Sequence, residues 1–125
     1  MTNYPDRGGN FDIPFPQIVT NSDAWLAVGH FIYPGSNAVG SPVDGCVIAG
    51  VVNAGAVCGV RIYDHTNAKL IAEKLDITAQ NPTCIDLPAF VNVPEDGMVI
   101  WELQVKRVSG VGTKKVAAGS LTLRY

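Results

Sequence analysis

The chain has 125 residues and a mass of 13.3 kDa, one domain's worth, enough to bury about two-thirds of its unfolded surface and hold a core without metal or disulfide support. Its net charge is −2, its charged residues make up 16% against about a quarter in an average chain, and its nine Lys and Arg are scattered apart from the pairs Lys106-Arg107 and Lys114-Lys115, which excludes the basic footprint of direct nucleic-acid binding. No run reaches the roughly 18 apolar residues of a membrane helix, and residues 1–10 lack the apolar segment of a secretory signal, so we expect a chain kept in the cytosol or in a particle assembled there. Apolar residues make up 47%, which with so few charges suits a surface in contact with other protein.

Residues 1–23 carry Pro5, Pro14, Pro16 and Gly8-Gly9, so they neither continue a helix nor join a sheet interior. They predict an extended N-terminal arm with one short strand at 17–20, followed by a single β-sandwich domain over 24–125. Phe11, Ile13, Phe15 and Ile18 are too apolar for a solvated tail, so the arm should lie along a surface, its own sandwich's or a neighbour's. Residues 24–33 are apolar on nearly both faces, which predicts a strand buried on both sides or at an interface. His30, alone in that strand, reads as a hydrogen-bonded core or interface histidine. Pro34-Gly35-Ser36-Asn37 ends it.

A second apolar strand over 43–52 contains Gly45 and Gly50, predicting bulges or a bend. Residues 57–63 direct Cys58, Val60 and Ile62 inward and Arg61 and Tyr63 outward, and Asp64-His65-Thr66-Asn67 is a strong turn. The return over 69–78 puts Ile71, Leu75 and Ile77 on one face. A helix over 67–75 also fits the periodicity, and we prefer the strand. After Asn81-Pro82 comes a short strand at 84–87. Residues 97–108 then alternate Val99, Trp101, Leu103 and Val105 against Ile100, Glu102, Gln104 and Lys106, a long strand that seats Trp101 in the core. The segment 115–125, with Ala117, Leu121, Leu123 and Tyr125 on its apolar face, is the expected hairpin partner of that strand across Ser109-Gly110-Val111-Gly112.

About eight strands and no helix define an all-β chain, an antiparallel sandwich or small barrel. An immunoglobulin domain is discounted, because all three cysteines precede Trp101.

The usual marks of catalysis are missing. Gly110-Val111-Gly112 has no Lys-Ser after it, and Gly35-Ser36-Asn37 and Gly119-Ser120-Leu121 lack the glycine pair of a nucleophile elbow. Cys58 and His65 flank a turn without forming a nucleophile and base. Cys46, Cys58 and Cys84 read as small buried hydrophobes. There is no Cys-x-x-Cys or His-x-x-x-His spacing for zinc, Asp64 reads as a turn former, and Glu102 as one partner of a structural pair with Arg61 or Arg124. We therefore expect no catalytic residue, no cofactor and no metal. Trp25, Tyr33 and Tyr63 remain as rings on which a sugar could stack.

The segments Val60-Arg61-Ile62-Tyr63-Asp64-His65-Thr66-Asn67, Val99-Ile100-Trp101-Glu102-Leu103-Gln104-Val105-Lys106 and Ser120-Leu121-Thr122-Leu123-Arg124-Tyr125 resemble those of small jelly-roll proteins carried on tailed-phage virions. The resemblance covers about half the chain and marks a scaffold. It implies an antiparallel β-sandwich of jelly-roll type and a capsid decoration (cement) protein on the exterior of a virion assembled in the host cytoplasm. By the same likeness the partners are the major capsid protein and further copies of the chain in a homotrimer, with neither membrane nor direct nucleic acid. The interface residues would be Phe11, Ile13, Phe15, Ile18, Trp25, Phe31 and Ile32. The alternative is a carbohydrate- or receptor-binding β-sandwich module of a phage fibre.

Overall fold

The computed structural model describes residues 9–125; the first eight residues of the expected arm lie outside the described residues. In chain order the described elements are β1 (Asn10–Ile13), β2 (Ile18–Thr20), β3 (Leu26–Tyr33), a helical turn α1 (Ser36–Val39), β4 (Asp44–Val51), β5 (Val57–Asp64), β6 (Lys69–Ile77), β7 (Thr83–Asp86), β8 (Val99–Ser109) and β9 (Val116–Arg124). They form two antiparallel sheets. One runs β1-β9-β4-β7 with β2 also on β9, and the other runs β3-β8-β5-β6.

β1 pairs with Leu121 to Arg124 and β2 with Val116 to Ala118, so the two are halves of one edge strand. Pro14 and Pro16 interrupt it, because neither has an N–H to give the ladder. The Phe15 carbonyl between them accepts from Ser120 N–H at 3.2 Å. Counted as one broken strand, the pair brings the total to eight. The β5–β6 hairpin is then the only connection among the described residues that stays within one sheet. This is the alternation of a jelly roll.

The core lies between the sheets, and β8 fills its middle. Val99, Trp101, Leu103 and Val105 point inward and are essentially sealed from solvent. The Trp101 indole stacks on Tyr33 at 4.3 Å between centroids and meets the edges of Phe31 at 5.9 Å and Phe90 at 6.2 Å. From the facing sheet come Val47, Val116, Ala118, Leu121 and Leu123.

The expected C-terminal hairpin does not form. β8 is flanked by β3 and β5, and β9 by β4 and the broken edge strand, so the two lie in different sheets. Residues 110–115 are too many for a tight turn and long enough to cross the ~10 Å between sheets. Arg107, largely buried, holds this crossing: its guanidinium donates to the carbonyls of Gly112 (2.8 Å) and Lys114 (3.1 Å) and pairs with Asp23 (3.1 Å).

Other expectations are corrected by register. In β6 the ladder to β5 shifts between Cys58 and Val60, which turns Ala72 inward and leaves Leu75 exposed over Gly59. The β4 irregularity falls between Val47 and Ile48 and not at its glycines. His30 is exposed, opposite Glu102 on the outer face, and is no core residue. Of the cysteines only Cys58 is buried; Cys46 is half-buried and Cys84 exposed.

The Asp64 turn forms as expected. The buried carboxylate accepts from Asn67 N–H at 2.9 Å and from its side-chain amide at 3.1 Å, closing the β5–β6 connection. Replacing Trp101 with Ala should cost about 3–5 kcal/mol, a large part of a small domain's stability, whereas Asp64→Ala should cost about 1–2 kcal/mol. Urea unfolding of the two variants checks the order.

Candidate functional site

A sandwich of two open sheets has two seams, where edge strand faces edge strand. On one side the β1/β2 edge faces β3, and on the other β7 faces β6. The first seam is apolar. Near its lower part Phe15 enters the core: its ring lies 6.4 Å from Phe31 and occupies the space above Gly29, where a Cβ would come within 2.3 Å of the Phe15 ring. Only glycine leaves that room.

Above Phe15 the seam opens into a groove of about 340 Å³ lined by Phe11, Ile13, Phe31, Ile32, Tyr33 and Leu123, with Val39 and Tyr125 at its end. Among the described residues Asp12 is the only charged side chain on its wall. Ile32 is 63% exposed at the rim and sits opposite Ile100 on the outer face, so the apolar surface continues around the edge toward Ile100 and Met98, which is 75% exposed. Among the described residues β3 pairs only with β8, so none of them covers its other edge.

The seven residues singled out from sequence are divided by the structure. Phe11, Ile13, Phe31 and Ile32 meet in the groove. Phe15 and Ile18 are half-buried and pack on the protein's own core. Trp25 is elsewhere, half-buried on the outer face of the β8 sheet. Sequence reading missed Tyr33, Val39, Leu123 and Tyr125 as groove residues, since strands far apart in the chain bring them together. Tyr33, 2% exposed, belongs to the core and groove floor and offers no open ring for a sugar. Burial raises its phenol pKa well above the ordinary range.

The outer face of the β8 sheet has a different character. Arg61 lies 4.5 Å from the Trp25 ring and 4.7 Å from the Tyr63 ring, and Lys106 also sits over Trp25 at 4.7 Å. Arg61 Nε donates to Gln104 Oε1, and the Gln104 amide donates to Glu102 at 2.6 Å. His65 Nε2 lies 3.0 Å from the same carboxylate oxygen. Glu102 is thus part of a network that reaches Arg61 through Gln104. Arg124, the other expected partner, pairs with Asp86 and Asp44 in the opposite sheet. Burial pushes the Glu102 carboxyl up, but the hydrogen bonds from Gln104 and His65 outweigh it and hold the group below its ordinary value.

Cys58 stands apart from both surfaces. Burial pushes its thiol up to about 11, against weaker lowering by backbone contacts at Gly50 and Ala117. Among the described residues no group of three or more His, Cys, Asp or Glu is placed to hold a metal ion.

Several solved virus structures share this architecture at low sequence identity. The structure of infectious bursal disease virus strain Gx matches with a TM-score of 0.55 and 15% identity, covering 96% of this chain and 32% of that one. The VP2 subviral particle of the same virus matches at 0.55 and 12%, covering 95% and 33%. The T=1 particles derived from that virus match at 0.57 and 15%, covering 95% and 32%. The chain spans about a third of the length of these neighbours, and what they share with it is the jelly-roll fold. No protein-family model and no curated protein sequence matches the chain.

Because the Glu102 carboxyl is held below its ordinary value of 4.5, its contribution to stability is present above that pH and is lost as pH falls through the lower folded-state value. The stability difference between the wild type and Glu102→Gln should therefore be largest near neutral pH and shrink steadily on acidification below 4.5. Paired denaturant titrations across that range check it.

Proposed function

We propose that the chain is a non-enzymatic structural protein of a virion, of the decoration or cement kind, which binds the shell of major capsid proteins as a homotrimer on the particle exterior, after assembly in the host cytoplasm. The observation that carries this reading is the apolar groove at the β1–β3 seam, continuous with Ile32, Ile100 and Met98 and bordered by the open edge of β3. An exposed edge strand with little charge on it is a template for further pairing, and an apolar groove beside it adds buried area to that pairing. The jelly-roll likeness to proteins of virus particles and the sparse surface charge point the same way.

In this reading the groove and the β3 edge bind copies of the chain or the capsid proteins beside it. Each contact need only be modest, because a trimer presents three linked sites to a repetitive shell and gains from effective concentration. A protein that bridges shell subunits in this way adds buried area across their joints and resists outward pressure from packaged genome.

The fibre-module reading has one observation of its own, the half-buried Trp25 ring beside Tyr63 and Arg61 on the outer face. Glycan-array binding that disappears in Trp25→Ala and Tyr63→Ala would favour it over the cement reading.

Removing residues 1–15 would take away β1 and Phe15, both parts of the sandwich, so the sharper test uses the rim. Sedimentation equilibrium of the wild type should give three times 13.3 kDa, and the chain should co-sediment with shells of the particle that carries it. The double variant Phe11→Lys, Ile32→Lys should be monomeric, fail to co-sediment, and keep its far-ultraviolet circular dichroism. Unchanged shell binding by that variant would overturn the assignment of the groove.

A further inference from the structure

Among the described arginines, Arg107 and Arg124 use their charge inside the molecule, the first on Asp23 and the second on Asp44 and Asp86. Arg61 is held differently. Its guanidinium carbon lies 4.5 Å from the Trp25 ring centre and 4.7 Å from that of Tyr63, and its Nε donates to Gln104, a side chain only 7% exposed. Gln104 is fixed in turn by its bond to Glu102, and Glu102 by His65, whose ring lies edge-on to Tyr63 at 5.3 Å. The circuit of contacts returns to Arg61 and pins a long side chain in one place.

Nothing in this circuit neutralises the guanidinium. Glu73 opposes Arg61 on β6 yet forms no ion pair with it, and the Glu102 oxygen nearest the network is already bonded to Gln104 and His65. The two Nη groups of Arg61 make no hydrogen bond among the described residues. Lys106 brings an ammonium to 4.7 Å from the same Trp25 ring, and among the described residues no carboxylate lies at ion-pair distance from it. A cation stacked on rings keeps its full charge and its donors, so the partner this face lacks is an oxyanion.

We propose that the outer face of the β8 sheet carries a binding site for a sugar bearing an anionic group, a carboxylate or a sulfate, with Arg61 and Lys106 as its two positive contacts. The Nη groups of Arg61 donate to the oxyanion, Lys106 supplies the second charge, and the half-buried Tyr63 ring meets the C–H face of the sugar. Trp25 is the platform that holds the two cations. A sugar fits better than an acidic peptide, because β8 is already paired on both sides by β3 and β5, and β5 by β8 and β6, which leaves a peptide no ladder to join here. The site lies apart from the β1–β3 groove, so the inference does not rest on the cement reading. It gives the carbohydrate alternative a ligand class and, unlike that reading, requires charge.

The full chain is titrated calorimetrically with oligogalacturonate, a heparin oligosaccharide, a neutral maltooligosaccharide and poly-glutamate. One or both acidic sugars should bind, more weakly as salt is added, and the tighter of the two identifies the anion; the neutral sugar and poly-glutamate should not bind. Arg61→Lys keeps the charge and loses the planar fork, and should bind at least about tenfold more weakly; Lys106→Gln should bind about three- to tenfold more weakly. Both should keep the wild-type circular dichroism and thermal melt. Lys115→Gln, the same loss of charge at an exposed position elsewhere, should bind as the wild type does. Failure of the wild type to bind either acidic sugar, equal binding of the neutral sugar or of poly-glutamate, or Arg61→Lys and Lys106→Gln that bind as tightly as Lys115→Gln overturns the proposal.

Discussion

The packing of Trp101 constrains nearly everything else in the molecule. Its indole has Tyr33 stacked against it and the edges of Phe31 and Phe90 beside it. Tyr33 and Phe31 belong to the edge strand β3, whereas Phe90 comes from the connection between β7 and β8. One side chain therefore joins the middle of a sheet to its edge and to a crossing loop. It also sets the phase of β8, because an alternating strand with Trp101 inward must place Glu102 and Gln104 outward.

That phase separates two surfaces of opposite character. The outward residues of β8 build a polar network with Arg61 and His65 and support the cations over Trp25, so charge and hydrogen bonding collect on one broad face. The inward residues end at the seam, where Phe31, Ile32 and Tyr33 pass from core to surface and meet Phe11 and Ile13 from the other sheet. The groove is the margin of the core, at the seam between β1 and the end of β3.

Much of this was legible in the chain. The alternation around Trp101, the Asp64 turn and the breaks at Pro34 and Asn81-Pro82 follow from period-two patterning and turn chemistry, which are local. The partner of β8 was not legible, because an apolar face says that a strand must be buried and not which strand buries it; crossing between sheets depended on the length of residues 110–115 and on Arg107, a residue read only as part of a strand. Likewise Phe11, Ile13, Phe31 and Ile32 were legible as apolar residues in search of a surface, but the convergence of two arm residues with two β3 residues arises from topology. The partial exposure of Cys46 and the full exposure of Cys84 depend on β7 being an edge strand, and hydropathy alone had suggested burial for both.

The arm shows how a local signal can be right in kind and incomplete in consequence. Prolines at 14 and 16 do prevent a continuous strand, and the chain around them is extended. Yet each half still finds ladder bonds on β9, while Phe15 between the prolines, its carbonyl still bonded to Ser120 N–H, turns its ring into the core above Gly29. The break that weakens the edge strand is what lets Phe15 seal the lower seam. Among the described residues the upper seam has no such plug, and Phe31 and Ile32 remain partly open there. A side chain from the protein's own arm thus closes one half of the seam, and the other half is the apolar groove between β1 and β3.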